Sequence, residues 1–155
     1  MKEMRIAMPA DATLHSSACN CLAVRAAARR VTQLYDQFLV PAGLRATQFS
    51  ILGMLKERGA LTINALARDL IMDRTTLGRN VLPLERDGLI ATKTSPSDGR
   101  AKELHLTKDG EKRLQAALKA WSAAQAQFEG AFGPERAADL RSMLRGVIGT
   151  NFEAA

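Results

Sequence analysis

Aromatic residues are scarce in this 155-residue sequence, at 5% (five Phe, one Trp and one Tyr), while alanine is abundant. That balance disfavours a β-sandwich or barrel, whose strands lean on aromatic and β-branched side chains, and favours a helical fold. Cysteine is nearly absent: Cys19 and Cys21 alone cannot build a disulfide framework, which suits a reducing compartment. No run reaches the roughly 18 apolar residues of a membrane-spanning helix. Lys2 and Arg5 are followed by Met8, Pro9, Ala10 and Asp11, where a secretory leader would need an apolar core. The expected location is the cytoplasm, with no membrane partner. The sequence also has no Gly-rich phosphate loop, no paired histidines and no Ser-His-Asp set at a suggestive spacing. His15 falls in a patternless N-terminal stretch and His105 within a short strand-like run. Cys19-x-Cys21 with only His15 nearby lacks a zinc spacing and a fourth donor, so neither metal nor cofactor is expected.

What is present is a globular composition, 46% hydrophobic and 25% charged, in a length that suits one domain. Lys and Arg total 22 against 16 Asp and Glu, a net charge of +6. With a pI near 9.8, a polyanionic partner is indicated, nucleic acid first and a membrane surface second.

Residues 1–16 lack periodicity and are expected to form a flexible arm ahead of a single domain, 17–155. From Ser17 to about Leu39, Cys21, Val24, Ala28, Val31, Tyr35 and Phe38 recur every three or four residues, the apolar face of a helix. Pro41 and Gly43 stop it. A second helix fits Ala46 to Arg58, with Phe49, Leu52 and Leu55 inward. Thr62 looks like the N-cap of a short third helix whose inner face is Ile63, Leu66, Ala67 and Leu70. After a break at Ile71–Met72, Asp73 is positioned to cap a fourth helix that turns Leu77, Val81 and Leu84 inward and is bent by Pro83.

The pattern then changes to two short strands, Leu89 to Thr94 and Lys102 to Leu106, joined by the turn formers Ser95-Pro96-Ser97-Asp98-Gly99-Arg100. Thr107 caps a long helix with Leu114, Leu118, Trp121, Gln125 and Phe128 on one stripe. After Gly133-Pro134 a last helix carries Leu140, Met143, Leu144, Val147, Ile148 and Phe152. The expected class is mainly α with a small β-hairpin wing: a winged helix-turn-helix over 44–107, flanked by helices 17–40 and 108–155. Those flanking helices offer more apolar surface than a small winged domain covers. Met143, Leu144, Val147 and Ile148 therefore either seat a second copy of the chain or pack on the first helix.

A helix that enters a major groove meets base edges with the side chains of its first turns. With Leu77 and Val81 inward, Arg74, Thr75, Thr76, Arg79 and Asn80 are left for solvent or groove. Arg can pair bidentately with guanine, Asn with adenine, and a Thr methyl can touch thymine. Arg100 at the hairpin tip suits a narrow, electronegative minor groove. Asp98 either orients the Arg100 guanidinium through a bidentate pair or simply forms the turn.

Residues 66–110 resemble the MarR family of bacterial regulators. The similarity is carried by Leu84-Glu85-Arg86-Asp87-Gly88-Leu89-Ile90 after the recognition helix, Asp98-Gly99-Arg100 in the wing, and Leu106-Thr107-Lys108-Asp109-Gly110 leading into the long helix. The order of elements agrees from about residue 17 onward. The resemblance implies a homodimer with intertwined terminal helices, reading a pseudo-palindromic site on double-stranded DNA and acting, usually, as a repressor. The candidate DNA contacts are Thr62, Arg74, Thr75, Thr76, Arg79, Asn80, Lys93, Asp98 and Arg100.

One branch of that family senses oxidants through a cysteine early in the first helix. Cys21, followed by Arg29, Thr32 and Tyr35, is similar to its pattern, but Arg25 stands where that branch has a second tyrosine. Cys19 and Cys21 would feel the positive end of the helix dipole, which favours a thiolate. The other reading of Cys21 is a small buried apolar residue. Residues i and i+2 point to different sides of a helix, so a bridge between the two is disfavoured. Many MarR relatives instead bind a small aromatic effector, for which Arg25, Arg29, Tyr35, Phe49 and Trp121 are the candidate pocket. Two other classes remain: a thiol peroxidase using Cys21, and a protein-interaction adaptor on the same scaffold.

Overall fold

The computed structural model describes residues 16–153. The N-terminal arm expected over 1–16 lies outside them, apart from Ser16 in a short 3-10 turn, Ser16–Ala18. Helix α1 spans Asn20–Leu39, and Cys19 is its N-cap, with Sγ accepting the Leu22 N–H at 3.4 Å. A 3-10 turn at Val40–Ala42 closes on Gly43, whose φ of +88° is one that glycine adopts without steric cost. Helix α2 follows at Ala46–Arg58. Its first free amide, Ala46 N–H, is satisfied by Asp36 Oδ1 of α1 at 2.7 Å, so a carboxylate of one helix caps the next.

Strand β1 (Leu61–Thr62) leads into α3 (Ile63–Asp69), where Thr62 Oγ1 accepts the Ala65 N–H at 3.2 Å. The turn to α4 (Arg74–Arg86) holds Ile71 at φ +51°, a conformation that costs a β-branched residue roughly 1–2 kcal/mol. Met72 N–H still reaches the Ala67 carbonyl at 2.8 Å, which fixes the tight approach of the two helices. Helix α4 continues through Pro83 to Arg86. Strands β2 (Ile90–Thr94) and β3 (Lys102–Leu106) form the wing, antiparallel with Ile90 opposite Leu106 and Thr94 opposite Lys102. Leu61 pairs with Leu104, so the sheet has three strands in the order β1-β3-β2. The sequence pattern predicts only the last two, because a two-residue strand has no alternation to detect.

Helix α5 covers Lys108–Phe132 and α6 covers Pro134–Gly149. The core beneath the wing and the three short helices is built from Leu39, Leu44, Ile51, Leu52, Leu66, Leu77 and Leu84, all nearly fully buried. Residues Leu77, Val81 and Leu84 of α4 face this core, as the spacing predicts.

Two expectations need correction. Phe152 lies beyond α6 and is 74% exposed, because Thr150 turns extended and its hydroxyl donates to the Gly146 carbonyl at 2.8 Å. The inward stripe expected along all of α1 is real only in its second half. Val31, Tyr35 and Phe38 are partly covered, whereas Cys21, Val24 and Ala28 are exposed in the protomer. Val147 and Ile148 on α6 are likewise exposed in the protomer. Among the described residues no single helix is long and apolar enough to cross a membrane.

Candidate nucleic-acid interface

Asp73 sets the start of α4. Its Oδ1 accepts the Thr76 N–H at 2.8 Å and its Oδ2 accepts the Thr76 hydroxyl at 2.6 Å. These bonds hold the Asp73 carboxyl below the usual range, the Thr76 hydroxyl contributing most. Thr76 is therefore committed to the cap. Asn80 is turned back on its own helix, its Nδ2 donating to the Thr76 carbonyl at 2.9 Å. Of the five predicted recognition-helix residues, Arg74, Thr75 and Arg79 are exposed without such commitments, and Thr62 spends its hydroxyl capping α3.

In the wing, Asp98 Oδ1 accepts the Arg100 backbone N–H at 3.0 Å, and Ala101 N–H donates to the Asp98 carbonyl at 3.0 Å. Asp98 is the turn former; it does not hold the guanidinium. Arg100 is exposed, and Lys93 is exposed on β2 opposite Glu103. Among the described residues, Arg74, Arg79, Lys93 and Arg100 form no ion pair with a carboxylate. Four unpaired cations on one helix and the hairpin beside it make a surface suited to phosphates and base edges. The two parts are tied at their bases: Thr107 Oγ1 donates to the Gly88 carbonyl at 2.6 Å and accepts the Gly110 N–H at 3.0 Å.

The candidate effector residues are only partly brought together. Phe49 of α2 and Trp121 of α5 stack at 6.2 Å between ring centroids and line an open cavity of about 1080 Å³. Its charged lining is Lys56, Lys108 and Lys112 together with Glu57 and Glu111, and Lys56 is bonded to Glu111. Those lysines were not legible as a set, since α2 and α5 meet only through the fold. Arg25 and Arg29 are exposed on α1 and do not line this cavity. Tyr35 does not line it either; its hydroxyl donates to Gln125 Oε1, Gln125 Nε2 donates to Glu129 Oε1 at 2.9 Å, and Arg141 pairs with Glu129 at 3.1 Å. That chain joins α1, α5 and α6. Burial raises the Tyr35 pKa, the Glu129 carboxylate adds to the rise, and Arg141 opposes it. Cys19 is half-buried and Cys21 exposed, both as free thiols.

A capped recognition helix following a second short helix, with a hairpin wing clamped to its exit, defines the winged helix-turn-helix class. The MarR family profile matches residues 44–102, from just before α2 to the first residue of β3. The chain is 31% identical over 90 residues to the organic hydroperoxide resistance transcriptional regulator of Bacillus subtilis (strain 168), covering 58% of this chain and 61% of that protein. It is 28% identical over 86 residues to the HTH-type transcriptional repressor IacR of Pseudomonas putida, covering 56% and 52%. The match thus spans between half and two thirds of each curated relative. The crystal structure of M. tuberculosis transcriptional regulator MosR superposes with a TM-score of 0.73 at 32% identity, covering 87% of this chain and 99% of that one. MosR in complex with DNA gives 0.72 at 34% identity, covering 86% and 99%. The chain belongs to the MarR family of transcriptional regulators.

Proposed function

We propose that the protein is a homodimeric repressor that binds a pseudo-palindromic operator in double-stranded DNA in the cytoplasm. The observation that carries this reading is the set of unpaired cations on α4 and the wing, Arg74, Arg79, Lys93 and Arg100, supported by the likeness to a DNA-bound relative. Residues 44–107 are the DNA-reading part. Residues 17–40 and 108–155 supply the dimer contacts, and the exposed apolar residues of α1 and α6, including Leu22, Val24, Met143 and Ile148, support that division. The relatives described above are regulators, and we read the chain as a non-enzyme.

Phosphate contacts should supply much of the affinity and base contacts the specificity. A fluorescence-anisotropy titration of the reduced protein against its own upstream DNA and a scrambled duplex, at several salt concentrations, tests this directly. Tight, selective binding with a steep salt slope is expected; equal, weak binding to both duplexes would overturn the reading. Arg79→Ala should cost about 1–3 kcal/mol on the preferred sequence, roughly 5- to 150-fold, and flatten the preference for it. Arg100→Ala should weaken binding across sequences and lower the salt slope by about one, leaving the order of preferred sequences intact. An unchanged slope would remove Arg100 from the phosphate-binding surface.

Release of DNA follows a change in the spacing of the two recognition helices away from one DNA turn, ~34–36 Å. A small aromatic anion in the Phe49–Trp121 cavity, its charge met by Lys108 or Lys112 because Lys56 is taken by Glu111, is the first route. Oxidation of the exposed Cys21 thiol is the second route, favoured by its place one residue after the start of α1. Hydroperoxide consumed once per thiol marks a sensor, whereas continuous consumption with a reductant would mark a peroxidase.

A further inference from the structure

At 100° per residue, the side of α4 opposite Leu77, Val81 and Leu84 carries Thr75, Arg79, Leu82 and Arg86. Three of these are polar. Leu82 is a leucine left 64% exposed in the middle of them. Most of the other large exposed apolar residues have an evident place: Leu22, Val24, Met143, Leu144, Val147 and Ile148 lie on the terminal helices, and Leu118 lines the cavity between α2 and α5. Ile71 sits in the turn before α4, off this stripe. Leu82 belongs to the surface that faces DNA on the reading above.

The neighbouring side chains narrow what Leu82 can meet. Thr76 and Asn80 are engaged within the helix, and Arg86 pairs with Asp87 at 3.2 Å. That leaves Thr75, Arg79 and Leu82 free along the outward stripe. Gly78, one turn before Leu82, has open space where a side chain would stand, which lets the helix backbone lie close to a groove wall. Leu82 is three residues beyond Arg79, about 4.5 Å along the axis, and so reaches roughly one base-pair step further. The apolar group that base edges present in the major groove is the thymine C5-methyl.

We propose that Leu82 is a specificity-determining residue that packs on the C5-methyl of a thymine, one or two base pairs from the base read by Arg79. The proposal rests on the DNA-binding reading and adds an element of the operator: each half-site carries a thymine recognised by its methyl alone.

The test begins with selection of binding duplexes from a random pool by the full-length protein. Each thymine of the selected half-site is then replaced by deoxyuridine, which keeps the base pair and removes only the methyl. Dissociation constants are measured for the wild type, Leu82→Ala and Leu82→Met. At one thymine per half-site, uracil should weaken wild-type binding about fourfold, the effect of one methyl-sized group, and about 15-fold when both half-sites are changed. Leu82→Ala should bind the thymine duplex more weakly and show no difference between thymine and uracil. Leu82→Met, still apolar, should keep the discrimination. Because Leu82 is exposed and alanine favours helix, Leu82→Ala should fold normally, and its melting temperature checks that. A selected operator at which no thymine-to-uracil change separates wild type from Leu82→Ala overturns the proposal and leaves the DNA-binding reading standing. A pool that yields no enriched sequence overturns both.

Discussion

Gly110→Ala should be among the most destabilising single-methyl additions in this chain. A Cβ at residue 110 would stand 2.1 Å from the Leu89 carbonyl oxygen and 2.7 Å from Leu106 Cδ1. The Leu89 oxygen is not free to move, because it already accepts the Thr107 N–H at 3.1 Å. Thr107 in turn caps α5 and bonds the Gly88 carbonyl, and Ile90 opposite Leu106 begins the wing. The added methyl therefore pries apart the exit of the recognition helix, the base of the wing and the start of α5 together. Overpacking of this kind costs on the order of 3 kcal/mol. In a chain of this length that is a fall in Tm of about 6–12 °C. Gly53→Ala is the matched control: nothing lies within 4 Å of its would-be Cβ, and in a helix interior alanine should hold or raise the Tm. Equal melting temperatures for Gly110→Ala and the wild type would show that the Leu89–Gly110 approach is not a constraint.

Val147→Asp combined with Ile148→Asp should convert the dimer to monomers and reduce operator affinity at least 100-fold, towards non-specific binding. The two side chains are 48% and 63% exposed in the protomer, so its own fold does not depend on their burial. In the symmetric interface proposed above each substitution occurs twice, setting unpaired carboxylates against apolar surface. Light scattering would report the mass, and circular dichroism would report whether helix content is retained. A dimer of normal affinity would move the interface away from α6.

The recognition helix was legible in the sequence because both its ends are written locally, with Asp73 as cap and Gly88 just after the exit, and its inner face repeats at helical spacing. The wing was legible for the same reason, through its cluster of turn formers. Other features depend on contacts that spacing does not encode. Asp98 serves the Arg100 backbone amide and not its guanidinium, yet both arrangements use the same two-residue separation. The loss of Asn80 as a free amide follows from one rotamer choice. The cavity between α2 and α5 draws on residues more than 50 apart, so only its aromatic members stood out. Tyr35 lies outside that cavity, and its hydroxyl donates to Gln125, a contact 90 residues away that spacing does not encode.

The order of the sheet has a consequence for the protein when it is not on DNA. In β1-β3-β2, the strand β2 has a neighbour on one side only, and its other side offers unpaired backbone groups to any passing chain. Such an edge is a template for aggregation unless it is short or carries charge. This one has five residues, and its fourth, Lys93, stands exposed between Thr92 and Thr94. The cation assigned above to phosphate contact thus also guards the strand against unwanted self-pairing at high concentration.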